Sequence, residues 1–165
     1  MITPSAQVTT IAGSATSGHI DGTGTAAGFT SPLGIVVDAL GNLFVADLTR
    51  IRKITPSGVV TTFAGNGNPV ATDGTGTAAS FMYLMGIAMD GLGNIYVTEQ
   101  SHTIRKITPA AVVTTIAGSG ASGSVNGIGT ASSFSYPGAI TVGSDGNLFV
   151  GEEIKNRIRK IVFDY

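Results

Sequence analysis

The chain has 165 residues and a net charge of −1, and it contains 24 glycines and no cysteine. The absence of cysteine excludes disulfides, thiolate zinc sites and cysteine nucleophiles. The near-neutral charge argues against binding nucleic acid or an anionic membrane through bulk electrostatics. Because 42% of the residues are hydrophobic and Gly and Thr are abundant, the composition predicts a folded all-β protein.

The first predicted element is a strand over residues 7–12, where β-branched residues follow the Ile-Thr-Pro that begins at Ile2. After a polar, glycine-rich connection, apolar runs predict four more strands at residues 34–38, 43–46, 50–54 and 59–64. The segment from Asp38 to Asn42 predicts a tight turn, since Gly41 suits a positive φ.

A long connection follows the last of these strands, from Gly65 to Phe81. Connections of this length are usually functional or locally ordered. Within it, residues 77–81 have the composition of a single helical turn. We expect this turn to place the Phe81 side chain against the sheet.

The same order of elements then repeats along the chain. Ile-Thr-Pro occurs at Ile2, Ile54 and Ile107, and three repeats therefore span about residues 2–53, 54–106 and 107–160. Four-stranded units of about this length predict the blades of a β-propeller.

Three short motifs recur in each repeat. In the first repeat they are Pro32-x-Gly-Ile-Val-Val-Asp38, Gly41-Asn-Leu-Phe-Val-Ala-Asp47 and Arg50-Ile-Arg-Lys-Ile54. These motifs resemble the NHL-repeat family, with departures at Leu84, which replaces the proline, and at Gly143, which replaces the aspartate. The resemblance implies a β-propeller of four-stranded antiparallel blades, of which this chain encodes three.

Propellers of that family usually have about six blades, so three blades leave an open stack with two apolar faces. Residues 5–13 predict an outer strand without a blade of its own, and the last repeat ends at its third strand. We therefore expect a homodimer that closes a six-bladed ring by strand exchange. The residues expected at this joint are Val8, Thr9, Thr10, Ile11, Arg159, Ile161 and Phe163.

All nine basic residues lie in three clusters at the third strand of each repeat. One interpretation is an anion-binding or partner-binding surface, as in NHL proteins that bind RNA, made by Arg50, Arg52, Arg105, Arg157 and Arg159. The other is that each cluster pairs with acids of the second strand, namely Asp47, Glu99, Glu152 and Glu153. The near-equal number of acids, ten, favours internal pairing, so nucleic acid is not the expected partner.

Few residues suggest catalysis. His19 and His102 both fall in predicted loops, where solvated side chains are expected, and no nucleophile motif accompanies them. Asp21 and Asp73 each supply one carboxylate to a glycine-rich loop, far short of the ligands that Ca²⁺ needs, so Asx turns are favoured.

Two tyrosines, Tyr83 and Tyr136, are predicted close to the start of an innermost strand. They suit either packing between blades, which is favoured, or a position at the mouth of the ring.

These observations favour a non-enzymatic module that assembles with itself and offers a loop surface to a protein, peptide or glycan, with no membrane partner. We expect no cofactor and no metal. The alternative is a lactonase-like or lyase-like propeller with a channel metal such as Ca²⁺. The neutral, Thr-rich and Gly-rich loops look like those of secreted bacterial repeat proteins, although residues 1–4 lack the pattern of a signal peptide.

Overall fold

The computed structural model describes residues 6–163, so the predicted features at residues 2–5 lie outside it. The described chain is all-β, with three antiparallel sheets that we call blades 1 to 3. Blade 1 contains β1 (Gly22–Thr23), β2 (Pro32–Val37), β3 (Leu43–Asp47), β4 (Arg50–Ile54) and β5 (Val59–Ala64). Blade 2 contains β6 (Gly74–Thr75), β7 (Leu84–Met89), β8 (Ile95–Glu99), β9 (Ile104–Ile107) and β10 (Val112–Ala117). Blade 3 contains β11 (Pro137–Val142), β12 (Leu148–Glu152) and β13 (Arg157–Ile161).

Four strands of blades 1 and 2 follow chain order as meanders, in agreement with the sequence analysis. The sequence did not predict the fifth strands, β1 and β6, which are two residues long and pair with the outer strands β5 and β10. Their cause is a side-chain anchor, because the Asp21 carboxylate accepts hydrogen bonds from the Thr62 backbone N–H and hydroxyl, both at 3.2 Å. Asp73 binds Thr115 in the same way.

Each long connection contains one 3₁₀ turn, and the second lies at Gly76–Ala78, slightly earlier than expected. The expected position of Phe81 is confirmed. Its side chain is fully buried, and it shares a core cluster with Ile51 of blade 1 and Val97 of blade 2. The connection thus fills the space between adjacent blades.

Blade 2 lies between the other two, because β7 contacts both β2 and β11. Strands β2 and β7 approach each other closely at Gly34. A Cβ atom on Gly34 would lie 2.6 Å from Cγ2 of Ile87, which is too close for any larger residue without a shift. All five residues of β8 are buried. The main core therefore lies at the interfaces between blades, which explains why strands read as apolar runs with little alternation.

The two ends of the described stack are incomplete. Blade 3 has three strands, and residues 6–12 form no strand within the chain. Val8 and Ile11 are consequently 94% and 57% exposed. Among residues 6–163, no helix has the length and apolar character needed to cross a membrane.

We predict that Ile104→Val lowers the free energy of unfolding by about 0.5–1.5 kcal/mol, because it removes one buried methylene. Ile104 is the first residue of β9, and its fully buried side chain packs in the core cluster between blades 2 and 3. Urea denaturation measures the change, and Val70→Ala, at a 56% exposed position, is the control with little expected effect. An equal loss in both variants would contradict the described core.

Candidate functional site

Each blade has one edge at which its first meander strand begins, its second strand ends and its third strand begins. We call this the strand-end edge, and it comprises residues 28–32 and 47–50, 80–84 and 99–104, and 133–137 and 152–157. It is built largely from turns, whose exposed side chains are free to vary without disturbing the strand pairing.

A buried ion pair holds this edge in every blade. The three pairs are Arg52–Asp47 at 3.3 Å, Arg105–Glu99 at 2.6 Å and Arg159–Glu152 at 3.2 Å. The predicted pairing of third-strand arginines with second-strand acids is thus confirmed. Glu153, which the sequence also suggested as a partner, is exposed beside Glu152.

The acid of each pair also fixes the turn that precedes the first meander strand. Asp47 Oδ1 accepts hydrogen bonds from the backbone N–H groups of Thr30 and Ser31, at 2.8 and 2.7 Å. Glu99 accepts from Met82 N–H in the same position. A single carboxylate therefore joins three segments of each blade at the strand-end edge.

Each arginine reaches a second group in the long connection. Arg52 Nη2 binds Asp21 and Arg105 Nη2 binds Asp73, both at 2.7 Å. Burial alone would raise the pKa of Asp21 and Asp73, but hydrogen bonds from threonine and arginine outweigh it and hold both pKa values below the usual range. Burial raises the pKa of Glu99, and the positive charge of Arg105 only partly opposes this.

The five arginines proposed from sequence as an anion-binding or partner-binding surface are therefore in different environments. Arg52 and Arg105 are fully buried, and only 11% of the Arg159 side chain is exposed. Arg50 is half-buried and donates to the Asn66 carbonyl, whereas Arg157 is exposed. Anion or partner binding stays a prediction, to which Arg50 and Arg157 offer the accessible charges.

Backbone conformation also singles out this edge. Six non-glycine residues in the described part of the chain have positive φ, and five of them lie on the strand-end edge: Leu48, Tyr83, His102, Tyr136 and Asn156. The left-handed region costs an L-residue roughly 1–2 kcal/mol. Such residues concentrate at binding and active sites, where the surrounding structure enforces them.

The two tyrosines on this edge are partly exposed, Tyr83 at 39% and Tyr136 at 38%. The Tyr136 backbone N–H donates to Nδ1 of His102 at 3.3 Å, and the two rings meet edge to face with centroids 4.9 Å apart. This contact joins blade 2 to blade 3. Tyr136 thus packs between blades and also presents part of its ring at the surface.

His19 lies at the same edge in blade 1, and the expectation that it is a solvated loop residue is wrong. Its Nδ1 lies 2.9 Å from Oδ2 of the buried Asp47, and only 17% of its side chain is exposed. In the neutral tautomer that donates its Nδ1 proton to this carboxylate, Nε2 carries a lone pair. Sequence reasoning missed this pair because Ala71 and Ser124 occupy the equivalent positions, so the repeat gives no signal.

Residues 6–163 contain no group of three or more His, Cys, Asp or Glu side chains arranged to hold a metal ion. Within one chain, the residues expected at the dimer joint lie in different environments. Residues 8–11 are exposed, Ile161 packs against the core of blade 3, and the Phe163 ring lies 6.1 Å from that of Tyr96.

No protein-family model matches the sequence, and none of the curated proteins is similar to it. A solved structure of a protein of unknown function from Bacteroides thetaiotaomicron VPI-5482 is similar, with 26% identity and a TM-score of 0.71 over 76% of this chain and 34% of that chain. An auxiliary nutrient binding protein from Bacteroides ovatus ATCC 8483 has 23% identity and a TM-score of 0.68 over 86% of this chain and 38% of that chain.

A streptogramin B lyase is also similar, with 19% identity and a TM-score of 0.50 over 78% of this chain and 39% of that chain. The nutrient binding protein and the lyase are β-propellers, so the described chain has the fold of part of a β-propeller. It spans less than two fifths of the length of each of these proteins.

We predict that Arg105→Met destabilises the protein by about 3–5 kcal/mol, because it leaves the buried Glu99 carboxylate without its partner. Arg50→Met is the control, since Arg50 is half-buried and donates to a backbone carbonyl. Thermal and urea denaturation measure both. The double variant Arg105→Met/Glu99→Gln should recover part of the loss, and failure of Arg105→Met to exceed Arg50→Met would contradict the role of the pair.

Asp73→Asn should lower stability at neutral pH and do so less as the solution becomes acidic. The folded pKa of Asp73 lies below its usual value of 3.8, so its contribution is present above that value and disappears as the pH falls through the folded pKa. Urea denaturation of both proteins from pH 7 to about pH 2.5 tests this. A stability difference that does not change with pH would show that the charge of Asp73 is unimportant.

Proposed function

We propose that two copies of the chain close a six-bladed ring, with the outer strand of each copy completing blade 3 of the other, and that this ring is a non-enzymatic binding module. Its strand-end edge would offer a surface to a protein, peptide or glycan. In this proposal each blade is formed by one NHL-like repeat.

The observation that carries the proposal is the exposure of Ile158. It occupies the place of Ile51 and Ile104 in the repeat, and both of those side chains are fully buried against the next blade. Ile158 is 76% exposed. Blade 3 therefore leaves exposed the apolar face that, in blades 1 and 2, is covered by the next blade.

The opposite end of the stack has a matching surface. On β2, alternate residues Leu33, Ile35 and Val37 are each about 60% exposed. The counterparts of Ile35 (Ile87 and Ile140) and of Val37 (Met89 and Val142) pack against core clusters between blades. Apolar patches of this kind mark association surfaces in soluble proteins.

Two copies satisfy both ends at once. In a twofold arrangement, blade 3 of each copy meets blade 1 of the other, and no blade face remains open. The resulting six blades fall within the usual four to eight, whereas three copies would give nine.

In such a ring the strand-end edges of all blades face the same side. The partly exposed rings of Tyr83 and Tyr136 would occur twice there, beside the exposed Gln100 and Glu153 side chains. Aromatic faces next to hydrogen-bonding groups suit recognition of a peptide or a sugar. Nutrient binding proteins are among the structural neighbours, which agrees with a binding role.

An enzyme of the lactonase or lyase class with a channel metal is the second candidate. The observation in its favour is the Asp47–His19 pair, since a carboxylate that orients an imidazole leaves the other nitrogen available as a base or ligand. Elemental analysis of the purified protein for calcium and zinc separates the two. A stoichiometric metal that His19→Ala removes would favour the enzyme.

Size-exclusion chromatography with light scattering tests the ring. We expect a mass of twice the 16.6 kDa chain, and Ile158→Asp should give monomers because a charge would enter the blade interface. Leu92→Asp is the control, since Leu92 is 80% exposed on the middle blade. A wild-type protein of 16.6 kDa, or a dimeric Ile158→Asp variant, would refute the proposal.

Binding at the strand-end edge is tested with Tyr83→Ser/Tyr136→Ser, which introduces the residue that repeat 1 carries naturally as Ser31. A panel of soluble polysaccharides and a random peptide library serve as probes. We expect a probe that binds the wild-type protein at least tenfold more tightly than the variant. Equal binding of every probe would place the binding surface elsewhere.

A further inference from the structure

We infer that the groove beside β13 is a sequence-selective strand-binding site, that it takes residues 7–12 of a second copy, and that Asn126 selects this strand through Thr10. The inference rests on the proposed ring. It adds to the ring a defined pairing register between residues 7–12 and β13, and one residue, Asn126, that distinguishes the incoming strand from others.

The groove has the place and shape of a missing strand. It encloses about 660 Å³ between β13 and residues 126–129, and its floor includes Ile116, Phe134 and Ile161. In the described chain, β13 pairs with β12 on one side, while in blades 1 and 2 the corresponding strands pair on both sides. The outer backbone edge of β13 is thus ready to accept another strand.

Residues 7–12 carry the sequence that fills this place in the other blades. Val60-Thr-Thr-Phe-Ala64 is the outer strand of blade 1, Val113-Thr-Thr-Ile-Ala117 that of blade 2, and Val8-Thr-Thr-Ile-Ala12 is the third example. Val60 and Val113 are 0% and 1% exposed, whereas Val8 is 94% exposed. The same sequence thus forms an outer strand, with its valine buried, in blades 1 and 2 but is exposed at residues 8–11.

The selective contact is the one between the second threonine and the connection. In blades 1 and 2, the backbone N–H and hydroxyl of that threonine bind an aspartate, as Thr115 binds Asp73 at 3.1 and 3.0 Å. Asn126 takes the aspartate's place in blade 3 and is held there by Arg159 Nη2 at 2.8 Å. Its carboxamide oxygen is therefore positioned to accept from the hydroxyl of Thr10 of an incoming strand. In the same way, Asp73 Oδ1 accepts from Arg105 and the Thr115 hydroxyl. The amide nitrogen of Asn126 is a donor and cannot accept the Thr10 backbone N–H in the way that Asp73 Oδ2 accepts that of Thr115.

The first threonine of the pattern has no such role. Its examples Thr61 and Thr114 are exposed on the outer strands of blades 1 and 2. Thr9 and Thr10 are therefore neighbouring residues of the same type. In the proposed site Thr10 contacts Asn126, whereas Thr9 faces solvent.

The position of the segment in the chain indicates a second copy as its source. Gly13 N–H donates to the Gly24 carbonyl at 3.1 Å, which fastens the chain to blade 1. Gly65 makes the same bond to Gly76 of blade 2 immediately after it leaves the outer strand of blade 1. By this pattern, residues 7–12 belong to a blade that precedes blade 1, whereas blade 3 lies on the far side of blade 2.

A cysteine pair tests the register, since the chain has no cysteine of its own. Thr61 lies opposite Lys53 in blade 1 and Thr114 opposite Lys106 in blade 2, so Thr9 should lie opposite Lys160 of the other copy. We expect Thr9→Cys/Lys160→Cys to form a covalent dimer on a non-reducing gel after mild oxidation. The control Thr61→Cys/Lys53→Cys should form a disulfide within one chain.

The outcomes separate this inference from the ring itself. A disulfide within one chain in the Thr9→Cys/Lys160→Cys variant would overturn exchange between copies. A dimer by light scattering without any cross-link would leave the ring standing and overturn the strand-binding site. A protein that is monomeric and not cross-linked would overturn both.

The role of Asn126 is tested by a matched pair of variants, Thr10→Val and Thr9→Val. We expect Thr10→Val to raise the dimer dissociation constant about tenfold or more, because it leaves an acceptor at Asn126 without its hydroxyl partner. Thr9→Val should change it less than about threefold. In an Asn126→Leu background the two threonine variants should become equal, and equal effects in the wild-type background would overturn the selective role of Asn126.

Discussion

The buried arginine–carboxylate pair is the interaction on which the rest of each blade depends. Arg105 brings together the end of the second strand, the turn before the first and, through Asp73, the connection that covers the blade. Its guanidinium also lies over the Phe81 ring, with 5.5 Å to the ring centroid, so the pair and the core between blades support each other. A charge removed from water at this point is tolerated because Nη1 and Nη2 are bound by two carboxylates and a backbone carbonyl, although Nε lacks a hydrogen-bond partner in the described part of the chain.

The regular spacing of the three repeats made most of the fold predictable from the sequence. The bounds of β4 and β5 agree with the sequence pattern, and the acid–arginine pairing followed from the charge clusters. Strands β1 and β6 were not predictable, because two residues have no hydropathy pattern and their pairing depends on an aspartate bond across about 40 residues. The same limit hid His19 and Asp47, which are 28 residues apart and occur as a pair in one repeat.

The strand-end edge illustrates how repeats acquire function. The ion pairs are nearly the same in all three blades, whereas the side chains beside them differ: Ser31, Tyr83 and Tyr136 occupy one position, and Leu48, Gln100 and Glu153, which directly follow the acid, occupy another. A shared framework thus holds the strand ends in place and leaves the exposed groups of the turns free to diverge. Sequence comparison of the repeats identifies the framework easily, but the divergent residues gain meaning only when the structure brings them together.

Blade 2 differs from its neighbours in one respect that bears on how the molecule forms and opens. It is covered on both faces by the same chain, and β8 is buried along its whole length. Local opening is most costly where burial is complete, so backbone amides of β8 should exchange with solvent most slowly. The middle of the chain would then be the persistent nucleus, and blades 1 and 3 the elements that fray and re-form around it.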